Sequence, residues 1–165
     1  MAYDYSLSSP GPIAPLDWVR TAVRAAKDAV DDDTVLWLGV PLYGRNWVVG
    51  TTGVCPEGTP GRVDPNLHEV AGLVERYGIE STTLDPLTGD ESFVYRRESS
   101  DGATSCTQTR AVHFVGPTGA RDRVDIARSE RIGGVVFWAL GFDTPEVWEP
   151  VLQVVREPGA TVTTP

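Results

Sequence analysis

Three short stretches of the sequence combine aromatic rings with charged or hydrogen-bonding groups. The first is "MAYDY" at residues 1–5, the second contains Tyr43 and Arg45, and the third contains Trp138. Tyrosine and tryptophan offer a flat apolar face with a polar edge, which suits the C–H groups and hydroxyls of a sugar ring. A buried ionised carboxylate such as Asp4 needs a partner, and Arg45 can supply one. The pattern indicates a carbohydrate site.

Each residue also has a purely structural interpretation. Trp138 taken alone is more typical of a core residue, and Tyr3 and Tyr43 can equally be buried aromatics with satisfied hydroxyl groups. Asp4 and Arg45 can form a structural ion pair. The sequence contains no Gly-x-Ser-x-Gly turn, P-loop or Gly-x-Gly-x-x-Gly motif, which argues against a serine hydrolase or a nucleotide-binding protein.

Hydrophobic patterning places these stretches on predicted strands. Residues 1–5 are predicted as a strand, and "TVLWLGVPL" and "GVVFWAL" are nearly continuous apolar runs, typical of strands buried on both faces of a parallel sheet. A predicted helix separates the first two, with Val19 and Val23 on its apolar face, so we expect a β-α-β unit. Because the carboxyl ends of parallel strands meet at one rim, the three stretches should converge there.

The middle of the chain has a different composition. Residues 46–108 are rich in Gly, Thr, Ser and Pro and contain one predicted helix ("PNLHEVAGLVERYG") and short strands, which indicates an inserted α+β subdomain. We therefore predict an α/β unit from residues 1–45 and 109–157, this insertion, and a flexible tail over 158–165. Three parallel strands cannot close a barrel, which commonly takes eight, and they leave apolar sheet edges and faces uncovered.

Charge and hydropathy exclude several kinds of partner. The net charge of −9 and pI of about 4.6 repel the phosphates of nucleic acids, so we predict no nucleic-acid partner. No apolar run approaches the roughly 20 residues of a membrane span. Tyr3 and Asp4 stand where the basic start of a signal peptide would be, so no signal peptide is predicted.

The two cysteines, Cys55 and Cys106, lie in polar, turn-rich sequence. Two cysteines are too few for a zinc site without help from His68 or His113, and their spacing matches no zinc motif, so we predict no metal and no cofactor. Two interpretations remain for the pair. A disulfide that joins two loops is expected under oxidising conditions, and two unrelated free thiols are about as plausible.

Four segments, in order, resemble the C-terminal part of the chitinase-like (β/α)8 barrels of glycoside hydrolase family 18. "MAYDY" resembles the sixth barrel strand with its Met-x-Tyr-Asp motif, and "GPIAPLDWV" resembles the loop and helix after it. "LGVPLYGRNW" is similar to the seventh strand, and "GGVVFWALGFDTPEVWE" to the eighth strand and last helix. The insertion lies where many members carry an α+β chitinase insertion domain. The resemblance implies an α/β fold, a partial TIM barrel made of its last three strands and helices.

The resemblance also implies a function. The family hydrolyses polymers of β-1,4-linked N-acetylglucosamine by substrate-assisted catalysis, in which a glutamic acid protonates the leaving oxygen and the N-acetyl oxygen attacks the anomeric carbon. On this basis the supporting catalytic residues are Tyr3, hydrogen-bonded to the N-acetyl carbonyl, and Asp4, bound to sugar hydroxyls or the acetamido group. The substrate-binding residues are Trp138 as the apolar floor, Met1 at the acetamido group, and Tyr43 and Arg45 at neighbouring subsites.

The sequence departs from the family at the catalytic acid. The family's Asp-x-x-Asp-x-Asp-x-Glu signature should precede "MAYDY" and is not present in the sequence. Asp28, Asp31 and Asp33 reproduce its aspartates, but Val35 occupies the glutamate position and the run lies at the wrong end of the sheet. We interpret this run as a solvated helix terminus. Gly116 and Pro117 also stand where related sequences often carry an acidic residue.

We therefore expect the chain to begin at an internal methionine of a longer barrel and to lack hydrolytic activity by itself. Its expected partners are a polysaccharide that contains N-acetylglucosamine, either chitin or a peptidoglycan-like glycan, and the missing N-terminal half of the barrel. The family is largely extracellular, so the parent protein is expected outside the cell or at the cell wall. The alternative is a self-standing, non-catalytic carbohydrate-binding module.

Overall fold

The computed structural model describes residues 1–156, and the tail predicted at residues 158–165 lies outside the described residues. Four helices and six strands alternate in a mixed α/β order within the described part of the chain. They are α1 (Leu16–Asp28), β1 (Trp37–Pro41), β2 (Gly44–Gly53), α2 (Leu67–Arg76), β3 (Thr83–Asp85), β4 (Asp90–Ser100), β5 (Ser105–Phe114), α3 (Pro117–Ser129), β6 (Gly134–Trp138) and α4 (Pro145–Arg156).

Strands β1 and β6 pair in parallel, as their apolar runs predict. One face of this two-stranded sheet belongs to the core, where Leu38 and Val40 are buried. The rings of Phe137 on β6 and Trp148 on α4 meet edge-on with their centres 5.0 Å apart, which packs the last helix on the same face. The parallel sheet and the helices on its inner face form one hydrophobic core.

The opposite face of the parallel sheet is uncovered in the structure. Trp37, Val136 and Trp138 are more than half exposed, because no element within residues 1–156 packs over them. The prediction that both strands are buried on two faces is therefore wrong for this face. This uncovered face agrees with the prediction that three barrel strands leave apolar sheet surface exposed.

The predicted strand at residues 1–5 is not formed, which corrects the sequence analysis. Asp4 has a φ of 66°, in the left-handed region that a strand residue does not adopt, so the extended backbone breaks there. The segment still lies against β1. A Cβ atom at Gly39 would stand 2.9 Å from a ring carbon of Tyr3, so the glycine leaves the space that this ring occupies.

An antiparallel sheet with the order β2-β5-β4-β3 is inserted between β1 and β6. The helix predicted within it is confirmed as α2, and it begins with a capping box. Asn66 accepts the Glu69 N–H and Glu69 accepts the Asn66 N–H, both at 2.9 Å. The sheet starts at Gly44 and runs through Phe114, so it crosses both boundaries predicted for the insertion at 46–108. The division into domains stays a prediction.

A buried ion pair joins the antiparallel sheet to helix α3. The Arg123 side chain on α3 donates to Asp90 Oδ1 on β4 at 2.8 Å, and Asp90 Oδ2 accepts the Ile13 backbone N–H at 2.5 Å. Both charged residues are almost completely buried. Burial raises the pKa of Asp90, although the Arg123 charge and the Ile13 N–H oppose that change. The insertion is therefore fixed to α3 and to the loop before α1.

Candidate functional site

Four of the residues predicted to form the site lie together and are called the Asp4 cluster: Tyr3, Asp4, Tyr43 and Arg45. The Tyr43 hydroxyl donates to Asp4 Oδ1, and Arg45 Nη2 donates to the same oxygen at 2.5 Å. The rings of Tyr3 and Tyr43 meet edge-on with their centres 6.1 Å apart. Two stretches that lie about 40 residues apart in the sequence thus form one polar and aromatic cluster.

The link between the two sheets positions Tyr43 and Arg45. Strand β1 ends at Pro41 and β2 begins at Gly44, so the chain leaves the parallel sheet and enters the antiparallel one within two residues. A Cβ atom at Gly44 would stand 2.6 Å from the backbone oxygen of His113 on β5. The glycine therefore permits the close pairing that places Arg45 beside Asp4.

The Asp4 carboxylate is ordered by the cluster but remains accessible. Both hydrogen bonds fall on Oδ1, and within residues 1–156 Oδ2 accepts no hydrogen bond. The side chain is 43% exposed. The carboxylate thus has one oxygen fixed by the protein and one available to a ligand donor such as an amide N–H or a hydroxyl group.

The two tyrosines of the cluster are hydrogen-bond donors at neutral pH. Burial raises the pKa of Tyr43, and the hydrogen bond to Asp4 raises it further. Burial also raises the pKa of Tyr3, with a second contribution from the Asp4 charge. Because neither phenol ionises near neutral pH, Tyr3 can donate its hydroxyl hydrogen to a carbonyl oxygen.

Arg45 lies behind Asp4 rather than at the surface. Arg45 is 4% exposed, and its Nη1 donates to the Ser6 backbone oxygen at 2.5 Å. Its Nε lies 3.6 Å from Asp64 Oδ1. The guanidinium is thus directed at protein groups, which favours a positioning role over direct contact with a ligand. A substrate-binding role for Arg45 stays a prediction.

Trp138 lies at the same end of the parallel sheet, where its backbone pairs with the end of β1. It is opposite Pro41 in the strand register, and its carbonyl accepts the Leu42 N–H at 2.8 Å. Its peptide bond with Ala139 is cis. The ring is 52% exposed, and within residues 1–156 it makes no hydrogen bond or ring contact with the Asp4 cluster. Trp138 therefore lies at the same end of the sheet as the Asp4 cluster but is not part of the cluster.

Met1 lies between the cluster and a separate apolar cavity. The Tyr3 hydroxyl donates to Met1 Sδ, and Met1 is 88% exposed. The cavity, of about 250 Å³, lies between α1 and the start of β1 and has no Asp4 or Trp138 in its wall. It therefore adjoins the candidate site at Met1. Its lining includes Met1, Ala2, Trp18, Ala22, Leu36 and Trp37.

The two cysteines are joined in a disulfide. Cys55 and Cys106 have Cα atoms 4.7 Å apart, and Cys106 on β5 is opposite Gly53 at the end of β2. The bond attaches the segment that leaves β2 to the next strand of the same sheet. Within the part of the chain that the structure describes, no group of three His, Cys, Asp or Glu residues is arranged to hold a metal ion.

Sequence reasoning missed two charged residues next to the cluster, Arg62 and Asp64. Both lie between β2 and α2, in a stretch ("GRVDP") whose composition indicates only a loop. Arg62 Nη1 donates to the Leu7 backbone oxygen at 2.7 Å, and Asp64 approaches Arg45. No local pattern signals this role, because Leu7 and Arg45 lie far from the two residues in the sequence.

The fold defined by these elements is that of a chitinase-like glycosidase, and it comprises part of the (β/α)8 barrel with an antiparallel insertion. No protein-family model matches the sequence, and no curated protein matches it. Solved structures do. The chain is similar to a chitinase from Chromobacterium violaceum ATCC 12472, with 23% identity and a TM-score of 0.72 over 95% of this chain and 44% of that one.

Two further structures extend this comparison. The spore cortex-lytic enzyme SleL of Bacillus cereus shares 19% identity, with a TM-score of 0.71 over 93% of this chain and 33% of that chain. A GH18 chitinase from Cycas revoluta, solved in complex with (GlcNAc)3, shares 19% identity, with a TM-score of 0.60 over 93% of this chain and 44% of that chain. The chain thus spans less than half the length of these proteins. At these identities the similarity establishes the fold.

Within residues 1–156, no helix combines the length and the hydropathy that a bilayer span requires.

Proposed function

We propose that the chain forms part of the sugar-binding rim of a chitinase-like barrel and binds glycans that contain N-acetylglucosamine. The observation that carries the proposal is the Asp4 carboxylate, which Tyr43 and Arg45 hold through one oxygen while the other remains available. A ligand therefore meets a fixed acceptor, Asp4, beside a hydroxyl donor, Tyr3. These two groups match an acetamido group, which has one N–H and one carbonyl oxygen. The similarity to a chitinase solved with (GlcNAc)3 supports this ligand class.

Each residue then has a role at the acetamido sugar. The Tyr3 hydroxyl donates to the N-acetyl carbonyl and fixes its direction of attack, and Asp4 Oδ2 accepts from the acetamido N–H or a sugar hydroxyl. Trp138, with its exposed ring, supplies an apolar floor under the pyranose. Met1 contacts the acetamido region, and Tyr43 borders the next subsite. Both chitin and peptidoglycan-like glycans carry the group that these residues address.

Hydrolysis of a β-1,4 bond also needs a proton donor, which the sequence does not supply in the family's position. General acid catalysis contributes about 10²–10⁴-fold to such a step. We therefore assign hydrolysis to a complete barrel, in which the remaining strands provide the glutamic acid. The exposed apolar face at Trp37 and Val136 supports this assignment, because a complete barrel would cover it.

A second candidate function is a carbohydrate-binding module that folds and acts alone. The buried Arg123–Asp90 pair favours it because it fixes the insertion to α3, and the disulfide favours it because it closes a loop within the insertion. The two candidates differ in their dependence on a partner. A module gives a cooperative thermal melt and saturable sugar binding as a monomer, whereas a barrel portion associates through its exposed face and melts over a broad, aggregating transition.

Titration with (GlcNAc)4, followed by tryptophan fluorescence, tests the proposed function. We expect saturable binding, and Asp4→Ala should weaken it at least tenfold. Asp32→Ala, at an exposed position in the loop between α1 and β1, should leave the affinity unchanged. A chromogenic N-acetylglucosaminide oligomer is added to the same samples and should not be turned over. Clear hydrolysis by the pure chain, or equal binding by the Asp4→Ala variant, contradicts the proposal.

A further inference from the structure

The segment 60–65 between β2 and α2 runs alongside β2 as a short extra strand. The Asn46 N–H donates to the Val63 oxygen at 2.9 Å, the Val63 N–H returns the bond at 3.1 Å, and the Gly44 N–H donates to the Pro65 oxygen at 2.8 Å. These bonds flank Arg45 on β2 and Asp64 on the segment. Asp64 is therefore held directly across from Arg45.

A buried arginine holds the same segment from its other end. Arg110 on β5 is completely buried, and its Nη1 donates to the Pro60 oxygen at 2.9 Å while its Nη2 donates to the Gly61 oxygen at 2.5 Å. Its Nε donates to Asn46 Oδ1 at 2.8 Å. Burial lowers the pKa of Arg110, and these neutral acceptors compensate for part of its lost hydration. The segment thus has little freedom to move relative to β2.

Asp64 lies between two guanidinium groups that hold the loop after Asp4. Its Oδ1 is 3.6 Å from Arg45 Nε and 3.4 Å from Arg62 Nε. The two arginines donate to successive carbonyls of that loop, Arg45 to Ser6 at 2.5 Å and Arg62 to Leu7 at 2.7 Å. The arrangement Arg45–Asp64–Arg62 is called the clamp.

The loop that the clamp holds is also restrained by a backbone hydrogen bond, from the Tyr5 N–H to the Ile13 oxygen at 2.9 Å. It begins just after Asp4, whose φ of 66° is uncommon for a residue other than glycine, and Leu7 within it is half exposed. Such a backbone conformation persists where surrounding contacts enforce it. The clamp supplies two side-chain contacts to the loop backbone, and through Arg45 it also contacts the Asp4 carboxylate.

We propose that Asp64 and Arg62 are positioning residues that fix the Asp4 carboxylate for its ligand through the clamp. The insertion then contributes to the sugar site without touching the sugar. The effect on binding rests on the proposed function, whereas the clamp itself is a property of the unliganded protein. The two parts are therefore tested separately.

A double-mutant cycle tests the binding part with (GlcNAc)4 as the probe. We expect Asp64→Asn to raise the Kd about fivefold in the wild-type background and less than twofold beside Asp4→Asn, because the substitution acts through Asp4. Asp64→Glu should restore most of the affinity, and Asp32→Asn is the charge-matched control. Equal losses in both backgrounds would show that Asp64 acts independently of Asp4 and would overturn the proposal.

NMR of the arginine side chains tests the clamp without any sugar. A guanidinium held by several acceptors gives separate Nη signals, so we expect resolved signals from Arg45, assigned by Arg45→Lys, that broaden in Asp64→Asn and in Arg62→Gln. If this occurs but the wild type binds no sugar, the proposed function fails and the clamp stands. Unchanged Arg45 signals in both folded variants would contradict the clamp. A thermal melt of each variant confirms that it is folded. If one of the two variants does not fold, the other still tests the clamp.

Discussion

Tyr43 and Asp4 are 39 residues apart in the sequence and share a hydrogen bond where β1 ends. The bond fixes one carboxylate oxygen, and the Tyr43 ring also meets Tyr3 edge-on. Tyr43, which follows β1, thus positions both an acceptor, Asp4, and a donor, Tyr3, of the candidate site. The predictions below follow from this relationship and from the contacts that support it.

Replacing Tyr43 with Phe removes the hydrogen bond but keeps the ring. Because Tyr43 is 8% exposed, the lost bond leaves Asp4 less restrained and the unfolding free energy falls by about 1 kcal/mol. We expect the Kd for (GlcNAc)4 to rise about fivefold, measured by tryptophan fluorescence. The control is Tyr5→Phe, whose exposed hydroxyl makes no hydrogen bond within residues 1–156. An unchanged Kd in Tyr43→Phe would show that the bond does not serve the site.

Removing the buried carboxylate at Asp90 should destabilise the protein strongly. Asp90→Ala leaves the Arg123 guanidinium buried without its charged partner, which costs about 3–5 kcal/mol. Urea unfolding measures this loss. The partly exposed neighbouring pair Arg121–Asp122 provides the control, and Asp122→Ala should cost less than about 1 kcal/mol. Similar losses for the two variants would mean that the buried pair contributes no more than a surface pair.

Stability should fall below neutral pH because of His113. Burial lowers the pKa of His113 in the folded protein, so the unfolded chain binds the proton more readily. The contribution is complete above the unfolded pKa of about 6.5 and is lost as the pH falls from there towards the folded value. Urea midpoints at pH 7.5 and 5 should differ less in His113→Gln than in the wild type. An identical pH dependence in His113→Gln would refute this assignment.

The disulfide should contribute to stability through the loop that it closes. Cys55 and Cys106 are separated by 51 residues, and opening a loop of this size costs about 2–4 kcal/mol. We expect the double variant Cys55→Ser/Cys106→Ser to lose this amount in urea unfolding. Addition of dithiothreitol should lower the wild-type midpoint and leave that of the variant unchanged. A wild-type midpoint that does not respond to complete reduction would contradict this prediction.

The sequence predicted the parallel strands and the insertion because their signals are local. "TVLWLGVPL" and "GVVFWAL" are apolar enough to indicate parallel strands, and "PNLHEVAGLVERYG" indicates the helix that the structure shows as α2. The strand predicted at residues 1–5 failed because its backbone at Asp4 depends on tertiary contacts with Tyr43 and Arg45. Propensity has no access to such contacts.

The candidate site was predictable only in part, for the same reason. The Asp4 cluster follows from aromatic and charged residues at the strand ends, and the structure brings Tyr3, Asp4 and two residues after β1 together. The clamp was not predictable, since Arg62 and Asp64 lie in a polar loop and act only through the pairing of their segment with β2. Long-range pairing of irregular backbone leaves no periodic signal in a sequence.

An NMR titration of the ¹⁵N-labelled protein with (GlcNAc)3 tests the central claim most directly. We expect the largest amide shifts at residues 2–6, at Tyr43 and Arg45, and at Trp138, with little change on the outer face of the antiparallel sheet around Val94 and Arg96. Shifts confined to that outer face, or no shifts at millimolar sugar, would contradict the claim that the Asp4 cluster is a site for an acetamido sugar.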